Sequence, residues 1–197
     1  MKRAALAIVL SLAAASLRAG EVYSIDKNHS EAGFAIRHLV STVHGRFNDF
    51  EGTVDIDRAK PEASTVTFTV KTASIDTAQA DRDKDLRTAQ FFDVEKFPEL
   101  TFKSSKVVAK DKDHYDVTGA LTLHGVTKEV TVQVAANGFV TDKTFGDRAG
   151  FDVSTTLNRK DFGISWNKTL DAGGLALGDE VKVQISIEAV KKGPATK

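Results

Sequence analysis

From Glu21 onward the chain alternates apolar and polar positions in short runs separated by turn residues. Phe34, Ile36 and His38 share one parity, and Ala35 and Arg37 take the other. Val66, Phe68 and Val70 alternate with Thr65, Thr67, Thr69 and Lys71, as Leu100 and Phe102 do with Thr101 and Lys103. Tyr115, Val117, Leu121 and Leu123 stand opposite Asp116, Thr118, Ala120 and Thr122. Further ladders are Val130, Val132 and Val134; Phe151, Val153 and Thr155; and Val181, Val183, Ile185 and Ile187. Successive side chains of a strand point to opposite faces, so this period predicts strands with one apolar and one wet face. The β-branched and aromatic residues in the ladders suit such a half-buried, pleated surface. Hairpin turns are expected at His124-Gly125-Val126 and near Lys110-Asp111-Lys112-Asp113.

Thr77 to Gln90 has no alternation and is rich in Ala, Asp, Arg, Lys and Leu, which predicts a short helix over 78–89. A second irregular or helical stretch is expected from Lys168 to Leu177, where Gly173 and Gly174 loosen the chain. The fold class is all-β with a short helix. Eight or more antiparallel strands in one domain either stack as two sheets or close into a barrel, and alternation leaves both open.

The N-terminus changes the picture of where the chain works. Lys2 and Arg3 precede an apolar run over residues 4–17, and small Ala19 and Gly20 follow, the layout of an export signal. The run falls short of the roughly 20 apolar residues that span a bilayer. No Cys follows it, which excludes a lipoprotein anchor. The expected division is a signal peptide over 1–20, a single domain over 21–192 and a flexible tail over 193–197.

Composition narrows the function by exclusion. The chain carries 27 basic and 27 acidic side chains; without Lys2, Arg3 and Arg18 the acidic ones are in slight excess. Nucleic-acid binding calls for a basic stripe, and none is present. The absence of Cys removes disulfides, a thiolate nucleophile and Cys-ligated metal. Twelve Phe against two Tyr and one Trp suit a ligand, or a core, without a polar edge to recognise.

His29, His38, His44, His114 and His124 lack metal-ligand spacing, so no metal site is expected. No G-x-S-x-G elbow occurs, and no catalytic residue is assigned. The mixed run Arg82, Asp83, Lys84, Asp85 and Arg87 reads as a solvated helix face or as helix-end ion pairs. Arg159 and Asp161 read as a mutual structural brace, and Gly163 beside them suits a sharp re-entry of the chain.

Four ordered blocks carry a family resemblance. They are His29-Ser30 with Phe34 to His38; Arg82-Asp83 through Leu86 to Phe91-Phe92-Asp93 and Phe97-Pro98; Leu121 to Lys128; and Thr156 to Asn167. Together they resemble the YceI-like family of periplasmic polyisoprenoid-binding proteins, over roughly residues 21–190. The resemblance implies an elongated, eight-stranded, antiparallel, lipocalin-like barrel with a helix packed against an opening. It also implies a periplasmic location, a polyisoprenoid or other long-chain lipid as ligand, no required cofactor and no enzymatic activity. A homodimer and a membrane redox protein enter as further expected partners, and no stable membrane insertion is expected after signal cleavage.

An eight-stranded barrel has room either for packed side chains or for one small ligand. The residues expected to line a ligand-filled lumen are Phe34, Ile36, His38, Phe47, Phe68, Val70, Phe102, Leu121, Leu123, Phe151, Val153, Phe162 and Trp166. Rival readings are an enzyme acting on a lipid or isoprenoid quinone, which needs polar side chains converging in the lumen, and a non-binding envelope module with a filled core.

Overall fold

The computed structural model describes residues 20–193, so the expected signal peptide and tail lie outside the described residues except for Gly20 and Gly193. Seven of the strands follow the alternating ladders, and four more join them. β1 (Glu21–Ile25) and β2 (Glu31–His38) are two halves of one path, broken by a tight turn at Lys27–His29. β3 (Ser41–Phe47) and β4 (Phe50–Ile56) return beside them, β3 against β2 and β4 against β1. Then come β5 (Thr65–Lys71), a short β6 (Ile75–Asp76), the helix α1 (Ala80–Leu86), β7 (Glu99–Ala109), β8 (His114–Leu123), β9 (Val126–Asp142), β10 (Gly146–Asn158) and β11 (Leu177–Lys191).

Each long strand pairs antiparallel with its neighbour, and β11 pairs with both halves of the first path. Tyr23 lies opposite Lys191 and Ile25 opposite Ala189, which joins the two ends of the domain and closes the sheet. The result is a closed eight-stranded antiparallel barrel with one short helix. Closure decides what alternation left open: a closed sheet has no free edge to protect.

Turn chemistry sets the register. His124 and Gly125 both adopt positive φ (51° and 74°), the backbone of a two-residue hairpin turn that matches strand twist. At the tip between β9 and β10, the Asp142 carboxylate accepts hydrogen bonds from the Thr144 and Phe145 amides at 2.7 and 2.8 Å. The expected irregular stretch from Lys168 runs to residue 176, after which β11 begins, with a tight turn through Gly173 and Gly174 held by the Leu170 amide on the Gly174 carbonyl.

The helix is shorter than the expected 78–89. It cannot begin earlier, because Ala78 takes a left-handed φ of 59° and Gln79 caps the helix by accepting from the Arg82 amide. It ends at Leu86 because the chain then tightens to bury Phe91. The mixed charge run is only partly a solvated face. Lys84 and Asp85 are exposed. Buried Asp83 accepts from the Thr77 amide (2.8 Å) and hydroxyl (2.5 Å), Arg82 donates to the Thr77 carbonyl at 2.7 Å, and Arg87 donates to the Ala73 and Ile75 carbonyls. Those bonds pin α1 to the segment before it.

One end of the barrel is therefore capped. Phe91, Leu121, Leu123, Phe162 and Ile164 form a buried cluster there, with Leu86 and Phe92 packed on it. The opposite end carries the β4–β5 connection, the β9–β10 hairpin and a smaller cluster of Tyr23, Ile56, Ala149 and Ala189.

Candidate functional site

Between these ends the barrel encloses a cavity of about 340 Å³ with an almost wholly apolar wall. Every barrel path contributes to it, and the contributions are the alternating ladders: Val66, Phe68 and Val70 from β5, Val130, Val132 and Val134 from β9, Val183, Ile185 and Ile187 from β11. Small residues make room for the rings. A side chain added at Gly119 of β8 would meet the Phe102 ring at 2.7 Å, and one at Gly52 of β4 would meet Phe68 at 3.1 Å.

Among the residues expected to line the lumen, Phe34, Phe47, Phe68, Val70, Phe102, Leu121, Phe151 and Val153 lie in the cavity wall. Five do not. Leu123 and Phe162 belong to the cap cluster, where they seal the end of the lumen. Trp166 lies outside that cap, its ring 5.2 Å from Phe91 and 37% exposed. Ile36 and His38 sit at the cap end of β2, opposite Val181 and Leu177, beyond the reach of the cavity. Correct parity is thus not sufficient; position along the barrel axis decides whether an inward residue lines the cavity or closes it.

Two wall residues were missed because bulges reverse the parity. In β7 the pairing skips between Ser104 and Lys106, so even-numbered Leu100 and Phe102 and odd-numbered Val107 all face the lumen. In β9 Ala136 pairs with Phe151 and Gly138 with Gly150, which leaves Asn137 as the extra residue and turns Phe139 inward. Gly138, with φ of 122°, is the one sequence signal that a bend was present.

The polar groups of the wall gather at the uncapped end. Asp57, Arg58, Ser64 and Thr65 line the cavity where it meets the surface at the β4–β5 connection. Arg58 lies across this mouth, with its guanidinium 4.0 Å above the Phe139 ring, one nitrogen donating to the Tyr23 hydroxyl at 2.8 Å and another paired with Glu21 at 2.9 Å. Lys191 reaches the same carboxylate. Its hydrogen bond is the main reason the Glu21 pKa is lowered, with the Tyr23 hydroxyl and Arg58 adding to it against the cost of burial.

The fourth block, Thr156 to Asn167, carries a signature loop that does something other than the expected brace. Arg159 does not pair with Asp161, whose carboxylate lies 3.5 Å from Lys128. Instead buried Arg159, 5% exposed, donates to the carbonyls of Gly178 (2.9 Å), Ile164 (2.8 Å) and Trp166 (2.8 Å), with Asp179 at 3.4 Å as counter-ion. Burial lowers its pKa and Asp179 opposes that, but a guanidinium stays charged at any physiological pH. Gly163 closes the turn at φ 79°, as its place in the sequence suggested. His124 places Nδ1 3.2 Å from the Phe162 carbonyl, which can only accept, so Nδ1 carries the proton. Its Nε2 is buried without a partner among the described residues, beneath the edge of Phe97.

The one group of side chains that brings metal-type donors together among the described residues is Asp26 and His29 from one turn with Glu188 from β11, a set that spacing along the chain does not reveal. Arg148 already pairs with both carboxylates, at 3.1 Å from Asp26 and in a short contact with Glu188. A guanidinium in that position supplies the positive charge a cation would bring.

Comparison with known proteins agrees with this geometry. A UPF0312 protein of Pseudomonas putida (strain GB-1) is 43% identical over 192 residues, covering 96% of each chain. The crystal structure of the YCEI protein of Campylobacter jejuni superposes with a TM-score of 0.67 at 29% identity, covering 86% of this chain and 96% of that one. A polyisoprenoid binding domain from Saccharophagus degradans shares the fold at a TM-score of 0.64 and 17% identity, over 86% of this chain and 98% of its own. The YceI-like domain model matches residues 23–189, and the chain belongs to that family.

Proposed function

We propose that this protein is a periplasmic lipid-binding protein that holds one long apolar chain of the polyisoprenoid type in its barrel lumen, as a carrier or reservoir. The observation that carries this reading is the cavity itself, with an apolar wall drawn from every barrel path and its charged groups confined to one end. Such a tunnel suits an unbranched or methyl-branched hydrocarbon with a polar terminus left near the mouth. Each buried methylene contributes about 0.8 kcal/mol, so a prenyl chain gains ample driving force. Immobilising that chain opposes part of the gain, which favours tight binding with little selectivity for tail chemistry. The fold shared with a domain named for polyisoprenoid binding supports the same ligand class.

The wall supports binding over catalysis. Away from the mouth the wall's hydroxyl group is that of Thr155, the Tyr115 hydroxyl being turned to the Lys112 carbonyl in the β7–β8 turn, too little to assemble an acid, a base and a nucleophile around a reacting bond. Native mass spectrometry of protein purified without detergent is the decisive test. The expected result is a mass increment that fragments as a prenyl lipid. A homogeneous, ligand-free protein that also fails to take up added prenyl lipid would overturn the proposal. The periplasmic part is tested separately, by sequencing the N-terminus of protein from the periplasmic fraction. It should begin within a few residues of Glu21, and protein beginning at Met1 would contradict export.

A further inference from the structure

We infer that the mouth of the cavity docks on a lipid bilayer through the tip of the β9–β10 hairpin, which serves as the loading portal for the ligand; this rests on the lipid-binding reading above. The hairpin projects Phe139, Val140 and Phe145 into solvent at 40%, 59% and 67% exposure. Phe139 is at once part of this exposed tip and part of the cavity wall, so the surface patch is continuous with the lumen. Arg58 covers the Phe139 ring from the mouth side. A ligand that dissolves only in membrane has to enter without crossing water, and an apolar tip beside the opening lets it do so.

Two other features favour a bilayer over a second copy of the chain. An aromatic side chain offers roughly 150–250 Å², so three partly exposed side chains supply on the order of 300 Å². A stable protein interface buries about 800 Å² per partner. The shape matters as well: Phe139 and Val140 lie near the end of β9 and Phe145 in the turn that follows, so the residues follow the end of one hairpin and not a broad sheet face. The charges beside the mouth mix both signs, with Arg58, Lys60 and Lys143 against Asp57, Glu62 and Asp142. Docking therefore works by apolar insertion, should need no anionic lipid and should respond little to salt.

The barrel carries its own control. At the capped end Val40 is 90% exposed beside Leu39, but the cluster of Phe91, Phe162 and Ile164 separates that tip from the lumen. It has no route to the cavity.

The test is sedimentation with phosphatidylcholine vesicles, using the full mature chain, a Val140→Ser/Phe145→Ser double variant and a Val40→Ser variant. The wild type and Val40→Ser should sediment with the vesicles equally well at low and high salt. The double variant should lose about tenfold or more in partitioning, as expected for removing a Phe and a Val from the membrane boundary. All three should still take up a water-soluble, short-chain fluorescent prenyl probe, which shows that the barrel is folded and its lumen intact. Wild-type protein that takes up the probe but does not sediment would overturn the docking portal alone. Wild-type protein that sediments but takes up no probe would overturn the cavity reading beneath it. Equal sedimentation of the double variant, or a wild-type dimer that the double variant dissolves in sedimentation velocity, would likewise reject the membrane assignment.

Discussion

At the scale of single residues, Arg159 shows how far a side chain's role depends on partners the local sequence does not name. It sits at the start of the signature loop, beside an obvious counter-ion in Asp161, and ignores it for three backbone carbonyls and Asp179. Arg159→Ala should lower stability by roughly 3 kcal/mol, because buried carbonyls lose their donors and a void opens. Arg159→Lys should recover little, since one ammonium cannot reach three carbonyls spread around a planar fork. Denaturant midpoints should therefore shift far more than lipid affinity; unchanged stability with lost ligand would move Arg159 into the binding site. Glu21 makes a pH-dependent counterpart at the other end. Its folded pKa is lowered, so the stability it contributes is fully present above the ordinary value of 4.5 and is lost as pH falls through the lower folded value. Glu21→Gln should be less stable than wild type near neutral pH, and the gap should close only below pH 4.5. A gap that widened on acidification would show that the sign, and hence the pairing with Lys191 and Arg58, is wrong.

At the scale of elements, the bulges in β7 and β9 are what separates a reading of alternation from the real wall of the cavity. A one-residue slip exchanges the two faces of a strand, and a bulge is a slip confined to one point. Ser105 is the extra residue of β7, between partners Ser104–Gly119 and Lys106–Thr118. Deleting Ser105 should leave every neighbour facing as it does now and yield a folded, soluble barrel. Deleting Ala120 from β8 has no bulge to absorb it, so either Leu121 and Leu123 or Tyr115 and Val117 must turn to solvent. That deletion should prevent folding, and soluble yield with thermal melting distinguishes the two. Helix α1 teaches the same lesson in reverse. Its composition announced a helix, but its length was set by Ala78 and Phe91, whose conformations answer to packing at the cap.

At the scale of the whole molecule, closure, one sealed end and one open end convert a set of ladders into a container. The side chains of an eight-stranded barrel can fill it, and here they stop short of doing so. Val132 lies in the cavity wall and pairs with Val117 across the sheet. Val132→Trp should occupy the space meant for a ligand, leaving the melting temperature unchanged or raised while lipid retention falls by tenfold or more. A tryptophan variant that keeps full lipid retention would place the ligand elsewhere than in the lumen. Three of the four motif blocks also find a common purpose only at this scale. His124-Gly125, Phe97, Arg82 to Arg87 and Arg159 to Trp166 all assemble the capped end, and a Cβ at Gly125 would stand 2.4 Å from the Phe97 ring. They preserve the container more directly than they touch what it holds.

The sequence by itself determined seven of the strands, β2, β5 and β7 to β11, with the apolar face of each, the hairpin turns at His124-Gly125 and Lys110 to Asp113, and the family. These are carried by neighbours in the chain: a period of two, a glycine where φ is positive, a motif in a fixed order. Only the tertiary structure showed how the barrel that the family resemblance implied is closed, by Tyr23 meeting Lys191 across the length of the domain. It alone decided that Leu123, Phe162, Ile36 and His38 lie at the cap end instead of in the cavity wall, that Phe139 turns inward, and that Arg159 answers to Asp179. Each of those outcomes depends on where a residue falls along the barrel axis, or on a partner many residues away. Local periodicity records which way a side chain points and carries no information about what it meets there.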